Sequence, residues 1–150
     1  MSATSYWRGS LIGLVCAVAV LVVFSFPAIP QDPAYHDFAD HREMLGVANF
    51  VDVASNAAFV LAGLMGMVVT LRRRTEFAED RERWPYAAFF AGMVLTGLGS
   101  AYYHLVPDNE RLFWDRLPMT IAFMSLIAAQ VVDRIDTRTG LVLLVPMLLV

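Results

Sequence analysis

Four stretches of this chain are almost free of charge: Leu11 to Phe26, Phe50 to Leu71, Tyr86 to Leu105, and Leu117 to Val132. A fifth begins at Leu141 and runs to Val150. Crossing the hydrocarbon core of a bilayer takes roughly 17–25 apolar residues at ~1.5 Å rise each. The second and third stretches reach that length, and the first and fourth stand near its lower bound. None shows the two-residue alternation of a half-buried strand, and all are too long for ordinary buried strands. The expected fold is therefore all-α: a polytopic transmembrane helix bundle of four complete helices and part of a fifth. It forms a single membrane domain over 1–150 with an additional N-terminal helix at 11–26. The stop inside the last apolar run reads as a truncation.

Composition agrees. At 58% hydrophobic and 17% charged, the chain departs from soluble domains, which average about 45–50% and 25%. The net charge is −3, and all eleven basic residues are arginine, so there is no basic face for nucleic acid. A single cysteine, Cys16, excludes an internal disulfide and a zinc ribbon. Arg8 followed by an apolar run resembles a secretory signal. Phe26-Pro27-Ala28-Ile29-Pro30 offers no convincing small-x-small cleavage site, so a retained helix is expected.

Arginine placement sets an orientation. With a cytoplasmic N-terminus, Arg8, Arg72, Arg73, Arg74, Arg81, Arg83, Arg134 and Arg138 fall inside, and Arg42, Arg111 and Arg116 outside. The connector Thr75 to Arg83 mixes both signs, as a solvated loop does. The outer, non-cytoplasmic side then holds the connections 27–49 and 106–116, where the polar residues hardest to explain are gathered.

Ser100 and His104 stand four apart near the end of the third stretch and share a helix face. An interfacial histidine in a tyrosine belt is the plainest reading of His104; an ionisable group facing a partner or cavity is the functional one. Asp115 precedes the fourth apolar run, with Pro118 expected in the first turn, where proline is tolerated. It reads either as an N-terminal cap or as a carboxylate at the depth of His104. A Ser, a His and an Asp at one depth suit nucleophilic catalysis or metal-assisted hydrolysis. In the outer connection Asp37, Asp40, Glu43 and Asn49 are hard oxygen ligands of the calcium type, without EF-hand spacing. Asp52, Ser55 and Asn56 run into a membrane helix and are expected to pair across helices as structural glue.

Taken together, Ser100-x-x-x-His104 with Trp114-Asp115-Arg116-Leu117-Pro118-Met119 resembles the alkaline ceramidases. These belong to a superfamily of seven-helix membrane hydrolases that also holds the progestin and adiponectin receptors. Asp37-Phe38-Ala39-Asp40-His41-Arg42, followed by Asn49 to Asn56, is similar to that family's calcium loop and first core helix. The resemblance covers 37–132. It implies that His104 is one of three histidines on a catalytic zinc ion (Zn2+), that Ser100 stabilises the substrate oxyanion, and that Asp115 orients or deprotonates the activated water. The reaction implied cleaves the N-acyl bond of a ceramide-like membrane lipid to fatty acid and sphingoid base. Asp37, Asp40 and Asn49 would occupy the calcium (Ca2+) positions.

The departures are specific. The family's His-x-x-x-His pair is absent, and His36 and His41 sit five apart on a loop. Phe38 stands where the family often has Trp, Arg42 where it has Asn, and Asn49 where it has Glu. A fixed cation at Arg42 can replace calcium by pairing with Asp37 or Asp40. Alone, the 150 residues are expected to bind zinc weakly and to be inactive. The alternatives to an enzyme are a non-catalytic receptor-like bundle, or a helix bundle whose outer polar cluster is only interfacial.

Overall fold

A computed structural model describes residues 3–27 and 29–149. Six α-helices follow one another: α1 (Ala3–Phe24), α2 (Phe50–Ser55), α3 (Ala57–Arg72), α4 (Arg83–Leu105), α5 (Asn109–Arg134) and α6 (Thr137–Leu148). Short 3₁₀ turns fill the connections, and the described residues contain no strand, only a bridge between Met44 and Val47. Trp7–Phe24, Phe50–Arg72 and Asn109–Arg134 are each long and apolar enough to cross a membrane. The 23-residue α4 is not among them. Its last third carries Ser100, Tyr102, Tyr103 and His104, which lower its mean hydropathy.

Helix α4 lies between α3 and α5, and glycines set how closely. A methyl group on Gly97 would stand 2.8 Å from Asn56 O of α3 and 2.7 Å from Val60 Cγ2. One on Gly99 would overlap Trp114 O of α5, and one on Gly92 would stand 2.7 Å from Ala122 N. At ~100° per residue, Gly97 and Gly99 face nearly opposite directions. Close approach through small residues is how apolar helices associate in lipid, where leaving lipid for another apolar surface gains little.

Two expectations about α5 change. Asn109–Arg116 is helix rather than connection, because Asp108 is the N-cap and its carboxylate accepts from Arg111 N at 2.7 Å. Asp115 is therefore not a cap; it sits in the second turn of α5. Pro118 lies inside the helix and is buried. Proline has no N–H, so Trp114 O loses its helical donor. That carbonyl is the one laid against Gly99.

The second apolar stretch breaks at Asn56, between α2 and α3. The Asn56 amide bonds Val53 O at 3.3 Å, leaving Asp52 O without its usual donor. Ser55 Oγ and Asn56 Nδ2 donate to that oxygen at 2.9 and 2.8 Å. Both residues thus satisfy their own helix, in place of the expected bonds across helices.

At one end, Thr137 donates to Glu82 and Tyr86 to Asp133, while Gly9 packs near Thr139. Around these contacts lie Arg8, Arg72–Arg74, Arg81, Arg83, Arg134 and Arg138: the arginine end. The opposite end carries 29–49 and Arg42, Arg111 and Arg116. Replacing Gly99 by Ala should destabilise the detergent-solubilised protein by about 1–3 kcal/mol through overpacking. Gly13→Ala, where nothing lies within 4 Å, should be neutral or slightly stabilising. Thermal unfolding followed by circular dichroism reads both.

Candidate active site

Thr96, Ser100 and His104 form one stripe on α4, each four residues from the next. Thr96 is buried and spends its hydroxyl on Gly92 O at 2.8 Å. Ser100 and His104 are half-buried. On the other side of α4, exposed Leu95, Leu98 and Tyr102 line an apolar groove of about 590 Å³ with Trp114, Leu117 and Ile121 of α5. Asp115 lies ~100° around α5 from Trp114 and is not part of that groove's lining. The Gly99–Trp114 and Gly92–Ala122 contacts fix the depth. In that register Ser100 stands about 3 Å, and His104 about 9 Å, nearer the loop end than Asp115.

The 29–49 segment folds over that stripe. Gln31 exchanges two hydrogen bonds with Asn109, at 2.9 and 3.2 Å. His36 Nδ1 is hydrogen-bonded to the Tyr103 hydroxyl at 2.8 Å, and the Tyr35 hydroxyl accepts from Arg116 at 3.2 Å. The Phe38 ring packs 4.7 Å from that of His104 and 5.8 Å from that of Tyr103, centroid to centroid.

The candidate calcium positions divide among three tasks. Asp40 is buried, and one carboxylate oxygen accepts from Val51 N at 2.8 Å and Asp52 N at 3.4 Å. These are free amides of the first turn of α2, so Asp40 caps that helix from ten residues away. Its other oxygen accepts from Arg42 Nε, one of the two pairings the sequence offered. Asn49, at φ 50°, is the N-cap residue by position, yet its side chain donates to His104 O at 2.8 Å, closing the end of α4. Asp37 is exposed and faces His41 at 3.6 Å. The Arg42 guanidinium, with the backbone amides adding to it, holds the Asp40 carboxyl below the ordinary carboxylate range.

Among the described residues, His104 is one of three, with His36 and Arg83, that have buried side-chain nitrogens lacking a hydrogen-bond partner. Its Nδ1 is buried without a hydrogen-bond partner, and the nearest carboxylate oxygen is Asp52 Oδ2 at 3.9 Å. None of the hydrogen bonds or ion pairs among the described residues joins Asp115 to Ser100 or His104. No group of three His, Cys, Asp or Glu residues among them could hold a metal. Catalytic zinc takes about three protein ligands. The unpaired imidazole of His104 suits one such ligand, and the described residues do not complete the set. The sequence passed over Phe38 and His36 as site residues, and took Asp52 for glue. Their relation to His104 depends on how the segment folds back, which no short-range pattern encodes.

The site is thus a polar Ser–His stripe walled by apolar helices, with aromatic residues of the 29–49 segment over its His104 end. Residues 38–150 match the sequence profile described as ceramidase. The chain belongs to the ceramidase family, and a lipid substrate and association with a membrane go with that membership. No curated protein and no solved structure matches it.

The Asp40 cap predicts a pH dependence. A carboxyl depressed in the folded state contributes order that is present above its unfolded pKa of about 3.9 and lost as pH falls through the lower folded value. The Val51 amide proton shift, followed by NMR, should therefore move at a pH below that at which an ordinary aspartate titrates. In Arg42→Gln the change should occur at higher pH. An identical profile in the two proteins would remove Arg42 from this role.

Proposed function

We propose that this protein is the N-acyl hydrolase its family name denotes, of the zinc-dependent alkaline type, cleaving ceramide-like lipids to fatty acid and sphingoid base. What supports the reading is the family match together with one placement: Ser100 and His104 on a single stripe of α4, and Asp115 in the second turn of the neighbouring helix α5.

Amide hydrolysis needs a donor for the oxygen that gains charge, a base for the attacking water and an acid for the leaving amine. The Ser100 hydroxyl donates to the carbonyl oxygen as it becomes an oxyanion. Asp115 takes a proton from the water whose oxygen bonds to the carbonyl carbon. As the C–N bond breaks, that proton passes to the amine nitrogen, and fatty acid and free base separate. His104 would supply one imidazole ligand to a zinc ion, which when bound would lower the pKa of water and polarise the carbonyl. Phe38 and Tyr103 keep bulk water off the stripe.

Positive-inside bias supports a cytoplasmic arginine end and a site at the non-cytoplasmic side, with α4 crossing beside its neighbours. Calcium is not required in this reading, because Arg42 supplies the charge beside Asp40.

Fatty-acid release from ceramide in detergent micelles tests the proposal. Residues 1–150 alone, holding one of three histidines, should bind zinc weakly and release none. A chain that also carries the family's His-x-x-x-His pair should release fatty acid and lose at least ~100-fold on Ser100→Ala. Its activity should fall to background on His104→Ala and be unchanged by a calcium-selective chelator. Full activity in His104→Ala would end this reading.

A further inference from the structure

Every buried polar group in a well-formed site has a partner, and an orphaned one calls for an explanation. His104 Nδ1 is buried and unpartnered, in a pocket closed by the Phe38 and Tyr103 rings, neither of which can accept a strong hydrogen bond in its plane. The one carboxylate recorded beside it is Asp52 Oδ2 at 3.9 Å, about an ångström beyond hydrogen-bond length. The Asp52 side chain is 31% exposed and that of His104 18%.

The two elements are not free to drift apart. Asn49 Nδ2 holds His104 O at 2.8 Å, one turn from Asp52. Gly97 sits against Asn56 O on the following turn. Asp40 fixes the first turn of α2 through the Val51 and Asp52 amides. The backbone positions on both sides of the gap are thus set, and only side-chain placement separates the two groups. Polar contacts in an unliganded site are commonly long and tighten when the site is filled.

We propose that Asp52 is a positioning residue for His104: its carboxylate accepts the Nδ1–H and fixes the imidazole in that tautomer. The lone pair then belongs to Nε2, the nitrogen left for the substrate side of the site. A histidine whose two nitrogens are otherwise equivalent acquires a defined donor and a defined acceptor by this means. A carboxylate behind an imidazole also raises the basicity of the far nitrogen, the arrangement that recurs behind histidines bound to metals. Asp52 acts through His104 and does not touch substrate. The inference rests on the functional reading above for its purpose, though not for its geometry.

Nitrogen-15 NMR of histidine-labelled protein in nanodiscs, metal-free and at about pH 8–9 where imidazole is neutral, reads the tautomer directly. His104 is assigned by its loss in His104→Gln. The wild type should show a protonated Nδ1 and an unprotonated Nε2. Asp52→Asn keeps an acceptor oxygen and should retain that pattern. Asp52→Leu should shift population to the Nε2–H form, and Asp52→Ala replaces it if circular dichroism shows the leucine variant unfolded. A protonated Nε2 in the wild type, or the same spectrum in all variants, overturns the proposal. If the tautomer shifts while no chain hydrolyses ceramide, the functional reading fails and the pairing stands.

Discussion

Helices as apolar as these gain little by leaving lipid for one another, so their association depends on how closely backbones can approach. In this bundle the approach is made at α4. Gly97 lets it meet α3, and Gly99 and Gly92 let it meet α5. The Trp114 carbonyl, freed by Pro118, fills the space that any Cβ at position 99 would occupy. With two opposite faces of α4 committed to neighbours, only two narrow sides remain. One carries Leu95, Leu98 and Tyr102. The other carries Thr96, Ser100 and His104.

The cover over the second side follows from the same register. Asp40 reaches across to cap α2, Asn49 closes the end of α4, and His36 joins Tyr103. Arg42 neutralises the buried Asp40 carboxylate. A charge-assisted hydrogen bond is stronger than a neutral one, and here it secures a helix start rather than a surface pair. Phe38 is thereby held against the His104 ring. The polar residues at this end form one connected arrangement whose parts serve helix ends first and place the site as a result.

Much of this was legible in the chain. Uncharged runs predict helices; α4 follows its run closely, while the second run is divided into α2 and α3. The four-residue spacing of Ser100 and His104 placed them on one face. Arg42 beside acidic residues suggested its pairing. The start of α5 was misread because Asn109 to Arg116 is polar, and polar runs beside a proline look like connection; Asp108 overrides that with a cap. Ser55 and Asn56 looked like contacts between helices because a break at Asn56 leaves no mark in composition. The approach of Asp52 and Phe38 to His104 joins residues more than fifty positions apart, and local pattern does not carry such information.

Photolabelling tests most directly the claim that the Ser100–His104 side, and not the apolar groove opposite, takes the lipid. A ceramide with a photoreactive group next to its amide, bound to the protein in nanodiscs, is irradiated and its attachment mapped by mass spectrometry. The account predicts attachment at Ser100, His104, Asp115 and Phe38, competed by unlabelled ceramide. Attachment confined to Leu95, Leu98, Tyr102 and Trp114 would contradict it.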